Sequence, residues 1–156
     1  MTTSNRETFV DFEQLIEALG DAVVVSDGDG TIRLWNSAAE RLFGFSSAQA
    51  IGKTLDLIVP ERFRERHWAG YKKTMTTGKT RYSHDVLRVP AVDKDGRPLS
   101  IAFTVGLLYD PDRQVTGIAA VIRDDTARFA EERKLRKQLA ELAGDKARNN
   151  GGAEHQ

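Results

Sequence analysis

The spacing of apolar residues changes several times along the chain, and each change indicates a different predicted element. Close to the N-terminus, apolar positions recur every three or four residues, as on one face of a helix, until Gly20 ends the repeat. The members of this first stripe are Phe12, Leu15, Ile16 and Leu19. Short runs of β-branched or alternating apolar residues then predict strands at 22–25, 31–35, 86–92, 98–108 and 115–122.

Polar and glycine-rich segments separate these elements. The turns at 27–30 and 93–96 are rich in Asp and Gly, which favour hairpin connections. Between the second and third predicted strands, Asn36 is a good N-cap for a short helix, and a longer helix begins near Pro60 and ends at Gly78. Helices inserted between two groups of strands predict an α+β fold, with the helices packed on one face of an antiparallel sheet.

Beyond residue 125 the composition shifts to Ala, Arg, Glu, Lys and Leu, which is typical of an exposed helix. Leu135, Leu139 and Leu142 are spaced four and then three residues apart, as in a short heptad seam. The predicted organisation is a flexible N-terminus at 1–8, a folded domain with its N-terminal cap helix at 9–125, a C-terminal helix at 126–143 and a disordered tail at 144–156.

Several short motifs, taken together, resemble the PAS domain family. They are the hairpin at 23–36, the helix at 38–43 with the Gly-Phe that follows it, Ile51-Gly52-Lys53, Val59-Pro60, the turn at 94–97 and the closing segment 122–127. The resemblance implies a PAS fold, in which a five-stranded antiparallel sheet cups a pocket beneath short helices and is flanked by terminal helices. It also implies a sensor of a bacterial-type signalling pathway that dimerises and acts on a downstream protein or domain.

The same resemblance assigns two further features. Asp124 matches the acidic position at which the family's signal leaves the sheet. The apolar stripes of the two terminal helices are the predicted dimer contacts. Their members are Phe12, Leu15, Ile16, Leu19, Leu135 and Leu139.

Within the family, the segment 60–67, Pro-Glu-Arg-Phe-Arg-Glu-Arg-His, resembles the proximal helix of haem-binding oxygen sensors. That likeness implies haem b held through His67 as the ligand of the iron, with a diatomic gas (O2, CO or NO) or a redox state as the signal. On a helix, Phe63, His67, Gly70 and Tyr71 share a face. A neutral imidazole is a good axial ligand for haem iron.

The sheet is predicted to supply the opposite wall of the haem pocket. The residues assigned to it are Leu87, Ile101, Phe103, Val105, Ile118 and Ala120. Small residues on the same strands, among them Gly106 and Ala119, favour a cavity over a filled core. The haem-binding relatives place an arginine at the position of Leu87. Here the arginine is one residue later, at Arg88, and should face away because side chains alternate along a strand.

Composition narrows the possible functions. The chain has no cysteine, which excludes disulfides, thiolate metal sites and a covalent flavin–cysteine adduct. Its 23 basic and 23 acidic residues give no net field for nucleic acid or an anionic membrane. We find no apolar leader or membrane-spanning run and expect a cytoplasmic protein. We also find no phosphate-binding loop or nucleophile motif and expect no enzyme activity.

Two alternatives to a haem sensor stay open. One is a haem-free interaction and dimerisation module, in which His67 is half-exposed or hydrogen-bonded to a loop carbonyl. The other is a pocket for a different small apolar molecule, such as a fatty acid or an aromatic compound.

Overall fold

The structure is a computed structural model that describes residues 9–80 and 84–152. The predicted flexible segment 1–8 and the last four residues of the predicted tail lie outside this range. The chain divides after Asp124 into a folded unit and a C-terminal helical unit. In chain order the elements are α1 (Phe12–Ala18), β1 (Ala22–Asp27), β2 (Ile32–Trp35), α2 (Ser37–Phe43), α3 (Ser47–Ala50), the 3-10 turns Leu55–Leu57 and Glu61–Phe63, α4 (Arg64–Thr77), β3 (Leu87–Val92), β4 (Pro98–Tyr109), β5 (Val115–Asp124) and α5 (Thr126–Gly152).

The five strands form one antiparallel sheet in the order β2-β1-β5-β4-β3, which confirms the predicted fold class. Its first and last strands in chain order therefore pair in the middle of the sheet. In this register Val24 of β1 lies opposite Ala120 of β5, which in turn lies opposite Val105 of β4. The edge strand β3 carries Pro90, which lies opposite Ser100.

On one face of the sheet, the end formed by β1 and β2 is buried beneath α2 and α3. The core there combines Trp35 of β2 with Phe43 of α2, whose ring centroids are 5.3 Å apart, and both side chains are almost fully buried. The other members of the core are Ala22, Val24, Ile32, Ala38, Ala39, Ala50, Ile58, Ala91, Ile101 and Ile122. This dense packing fixes the sheet at its α2–α3 end, because buried apolar area is the main stabilising contribution in a domain of this size.

Asn36 is fully buried where the sheet meets the helices, and its side-chain amide makes four hydrogen bonds. Its Oδ1 accepts from the backbone N–H of Val23 at 2.8 Å and of Ala39 at 3.0 Å, the latter being the predicted N-cap of α2. Its Nδ2 donates to the carbonyl of Ile16 at 2.9 Å and of Asp21 at 3.1 Å. One amide therefore ties together α1, the α1–β1 linker, β1 and α2.

The C-terminal helix is longer than predicted. We expected it to end at residue 143, but α5 runs to Gly152, so residues 144–152 are helical and not disordered. Strong helix formers surround Gly144, whose cost is only about 1 kcal/mol, and Arg148 pairs with Asp145 one turn away. Within the described ranges, no helix, the 27-residue α5 included, is both long enough and apolar enough to cross a membrane.

Asp27 stabilises the β1–β2 turn, and we expect this contribution to disappear in acid. Its carboxylate accepts from the amides of Asp29 and Thr31 and pairs with Arg33 at 2.8 Å. Burial opposes ionisation, but these bonds together lower the pKa of Asp27 below its ordinary value. A carboxyl group with a lowered folded pKa stabilises the fold above its unfolded pKa, near 3.9, and loses that contribution as pH falls through the folded pKa.

The measurement is the urea midpoint of Asp27→Asn against the wild type at pH 7 and at pH 2.5. The substitution keeps the oxygen that accepts from the two amides but loses the charge that faces Arg33. We expect the variant to be less stable at pH 7 and the difference to shrink at pH 2.5. A difference that is constant across this range would refute the role of the charge.

Candidate functional site

Helix α4 ends where the sequence predicts, but it begins at Arg64 and not near Pro60, because residues 61–63 form a separate 3-10 turn. It follows the 3-10 turn Glu61–Phe63 and ends at Gly78, whose φ of +67° reverses the chain in the left-handed region. Its inward stripe combines the buried Tyr71 with the half-buried His67 and Trp68. These three rings pack against one another, with centroid separations between 4.8 and 5.9 Å.

Trp68 packs α4 against the β1–β2 turn. Its ring lies so close to Gly30 that a Cβ at that position would come within 2.2 Å of the ring. Its Nε1 donates to Asp56 Oδ1 at 2.7 Å. The site prediction omitted Trp68, although its position one residue after His67 on a helix with an apolar face was a usable signal.

Tyr71 forms the second contact between α4 and the same hairpin. Its hydroxyl donates to the backbone carbonyl of Asp27 and lies 2.9 Å from the Ser26 hydroxyl, which can donate in turn. Burial raises the pKa of Tyr71, while the hydrogen bond from Ser26 lowers it and the Asp27 carboxylate raises it further. Tyr71 thus stays neutral and acts as a positioning group, not as a free wall of a pocket.

His67 differs from its neighbours because its Nδ1 is buried without a hydrogen-bond partner. An unpartnered buried nitrogen is costly, so it calls for a functional explanation. Burial lowers the pKa of His67 below its ordinary value, and the nearby Asp56 carboxylate offsets only part of this effect. The imidazole is therefore neutral at physiological pH and has a lone pair available for a ligand.

The predicted sheet wall lies on one face, which is the face toward α4. Residues directly opposite in an antiparallel sheet share a face, and Ile118 lies opposite Ser26, whose hydroxyl contacts Tyr71 of α4. The same alternation places the remaining predicted wall residues on this face, namely Leu87, Ile101, Phe103, Val105 and Ala120. Ile101 belongs to the buried core, whereas the other five side chains are half-buried. Central-sheet apolar residues that keep this much exposure indicate a face that α4 covers incompletely.

Three residues lie elsewhere than the sequence suggested. Gly106 and Ala119 lie opposite each other on the face away from α4, as alternation from Val105 and Ala120 requires. They therefore cannot enlarge a cavity between α4 and the sheet. Gly70, expected on the inward face, is exposed, because the contacts of Trp68 and Tyr71 turn the helix so that Gly70 lies beside the inward stripe. A Cβ at Gly70 would meet no other atom within 4 Å.

Phe63 and the strand β3 complete the surroundings of the helix. Phe63 is half-buried, and the Arg62 guanidinium lies 4.8 Å from the centre of its ring. Arg88 lies opposite Ala102, on the face away from α4, as expected from its neighbour Leu87. The face of β3 toward α4 is therefore apolar at Leu87.

The donor chemistry of this site fits a haem. His67 offers a neutral imidazole whose buried Nδ1 has no protein hydrogen-bond partner, and a neutral imidazole can ligate haem iron. The half-buried apolar face of β4 and β5 offers the apolar wall that a porphyrin requires.

The predicted dimer residues are accessible on their own elements. On α1, Phe12 is 66% exposed and Leu15 is 44% exposed, while Ile16 and Leu19 are half-buried. On α5, Leu135 and Leu139 are exposed. Asp124, the predicted signal-exit residue, is the last residue of β5 and is also exposed.

Comparison with protein families gives a match to the PAS fold over residues 11–124. The sensor protein FixL of Bradyrhizobium diazoefficiens is 30% identical over 138 residues, which are 88% of this chain and 26% of FixL. The oxygen sensor protein DosP of Escherichia coli is 23% identical over 128 residues, which are 82% of this chain and 16% of DosP. The chain thus spans about a quarter or less of the length of these relatives.

Solved structures agree on the fold. A PAS domain from Colwellia psychrerythraea superposes with a TM-score of 0.65 at 24% identity, covering 74% of this chain and 95% of that domain. An RNA-binding light-oxygen-voltage receptor superposes with a TM-score of 0.69 at 16% identity, covering 90% of this chain and 41% of the receptor. At these identities the likeness concerns architecture alone.

Proposed function

The chain belongs to the PAS family of sensor domains found in signalling proteins, and from that premise we propose that it senses a signal through haem held by His67. The observation that carries the proposal is the neutral imidazole of the half-buried His67, whose Nδ1 is buried without a protein partner, on a helix that packs against the half-buried apolar sheet face. The similarity to FixL and to the oxygen sensor protein DosP supports the same reading. The signal would be O2, CO or NO, or the redox state of the iron.

The residues around His67 have distinct tasks in this proposal. His67 would hold the iron, and the apolar face that includes Phe103 and Val105 would exclude water from the macrocycle. A bound haem would supply an iron centre that takes up a diatomic gas. Trp68 and Tyr71 keep α4 in a fixed position on the β1–β2 hairpin, so that the imidazole is oriented in advance.

The output would be conformational and not catalytic. A gas changes the balance between two states only if it binds them with different affinity. We propose that the two states differ in the sheet beneath α4, and that β5 carries the difference to Asp124 and the following α5 in a homodimer. A downstream protein or domain would read the state of α5.

Removing the imidazole tests the haem proposal directly. Purified protein titrated with haemin should develop a Soret band, and His67→Ala should abolish that band because the protein ligand of the iron is gone. The matched control is His84→Ala, which removes an exposed histidine just before β3 and should leave the titration unchanged. Far-UV circular dichroism establishes that both variants are folded.

The outcomes separate the candidate functions. A band that persists in His67→Ala would exclude His67 as the ligand. If the wild type develops no band and light scattering finds a dimer, the haem-free dimerisation module is favoured, which the exposed Phe12, Leu15, Leu135 and Leu139 support. A different ligand found by mass spectrometry of native protein would indicate the third function, a pocket for another apolar molecule.

A further inference from the structure

Helix α1 is held to the folded unit in a way that differs from the other helices of that unit. It has seven residues, none of them buried, whereas α2 is equally short but buries Ala38, Ala39 and Phe43. An isolated helix of this length is unstable in water, so α1 depends on its contacts with the rest of the unit. Several of those contacts are hydrogen bonds.

Three polar contacts fasten α1 and the linker that follows it. The Asn36 amide donates to the carbonyls of Ile16 and Asp21. The Glu17 carboxylate accepts from the backbone N–H of Ser37 at 3.2 Å and from the Ser37 hydroxyl. The guanidinium of Arg123 donates two hydrogen bonds of 3.1 Å to the Asp21 carboxylate.

Asp21 joins the two ends of the folded unit. Its carbonyl is held by Asn36, and its carboxylate by Arg123, which is the second-last residue of β5. The residue after it, Ala22, begins β1 and lies opposite Ile122 in the sheet. A shift of α1 therefore moves a residue that is bonded directly to the end of β5, one residue before Asp124.

The contact between Asp21 and Arg123 borders a gap in the packing. An open cleft of about 310 Å³ lies between the linker, α2 and the end of β5, with Asp21, Arg41, Leu42 and Arg123 among its lining residues. Because no residue of α1 is buried, release of α1 exposes little apolar surface. Segments held in this way open at a lower free energy than the core.

We propose that α1 is a detachable regulatory element, fastened by Asn36, Glu17 and Asp21, and that its release is coupled to loosening of the end of β5. We call these three residues, together with Ser37 and Arg123, the clasp. Through the clasp, the docking of α1 and the state of the end of β5 affect each other reciprocally. A factor that captures released α1 weakens the bond at Arg123, and a change at the end of β5 changes the docking of α1. The coupling does not depend on haem.

Arg123→Gln tests one direction in the full chain by amide hydrogen exchange. It removes the charge that holds Asp21, and exposed ion pairs shift local equilibria by a factor of about two to five. We expect the amides of α1 to exchange about two to five times faster, with no change at Val24 in the core. The matched control is Arg33→Gln, which breaks an arginine–aspartate pair at the other end of β1 and should leave α1 unchanged.

Glu17→Ala tests the reverse direction. We expect faster exchange at residues 122–124, although Glu17 is in α1 and does not belong to the sheet. Its control is Gln14→Ala on the same helix, whose side chain takes no part in the clasp. Unchanged exchange of α1 in Arg123→Gln, equal loosening in Arg33→Gln, or an unaffected end of β5 in Glu17→Ala would each overturn the coupling.

Discussion

Asn36→Ala is expected to lower the free energy of unfolding by about 3–5 kcal/mol. The residue is fully buried, and its truncation leaves the amides of Val23 and Ala39 and the carbonyls of Ile16 and Asp21 without the partner they have now. Unsatisfied buried groups cost more than the bonds contribute on average, so the effect exceeds that of an ordinary N-cap, about 1 kcal/mol. Urea denaturation measures it.

Asn36→Asp separates the hydrogen bonds that the side-chain oxygen accepts from those that the side-chain nitrogen donates. The new carboxylate keeps an oxygen that accepts from Val23 and Ala39, but it places a second oxygen against two carbonyls that now receive hydrogen bonds from the amide. We therefore expect Asn36→Asp to destabilise the protein nearly as much as Asn36→Ala at pH 7. Stability close to the wild type in Asn36→Asp would mean that the N-cap alone accounts for Asn36.

Gly30→Ala is expected to cost about 2–4 kcal/mol, for two separable reasons. Its φ of +80° is a conformation that residues with a Cβ adopt at a cost of about 1–2 kcal/mol. In addition, the new methyl group would come within 2.2 Å of the Trp68 ring, which must move. Thermal and urea unfolding measure the sum.

Gly52→Ala is the matched control for the first reason, because Gly52 has a φ of +89° and its Cβ would meet nothing within 4 Å. It should cost about 1–2 kcal/mol. In a Trp68→Ala background, Gly30→Ala should cost no more than this, because the clashing ring is absent. Equal costs of Gly30→Ala with and without Trp68 would contradict the close contact between α4 and the hairpin.

These two residues show where prediction from sequence succeeds and where it stops. Gly30 is recognisable as a turn glycine from its local pattern, and Asn36 as an N-cap from the helix that follows. The contact with Trp68 and the bonds to Ile16 and Asp21 are not recognisable, because they depend on where distant segments pack. Local propensity determines elements, whereas tertiary packing determines their partners.

The candidate site follows the same division. Alternation along β4 and β5 places the predicted wall residues together on the face toward α4, and the same rule, applied strictly, would have placed Gly106 and Ala119 on the other face. The sequence did not predict exactly which residues of α4 face the sheet. That orientation is set by the contacts of Trp68 and Tyr71 with β1 and its turn. The end of α5 was placed too early because the polar, Gly- and Asn-containing composition of 144–156 was interpreted as disorder, although such residues cost too little to end a long helix.

Pro90 has a consequence for how this domain behaves when concentrated. The outer strand of a sheet offers unpaired backbone groups to any other chain, and amyloid-like growth begins by extension at such an edge. A proline lacks the N–H that an added strand would need, so the hydrogen-bonding ladder that β3 could offer is interrupted within its six residues. Extension of the sheet at the β3 edge is thereby disfavoured.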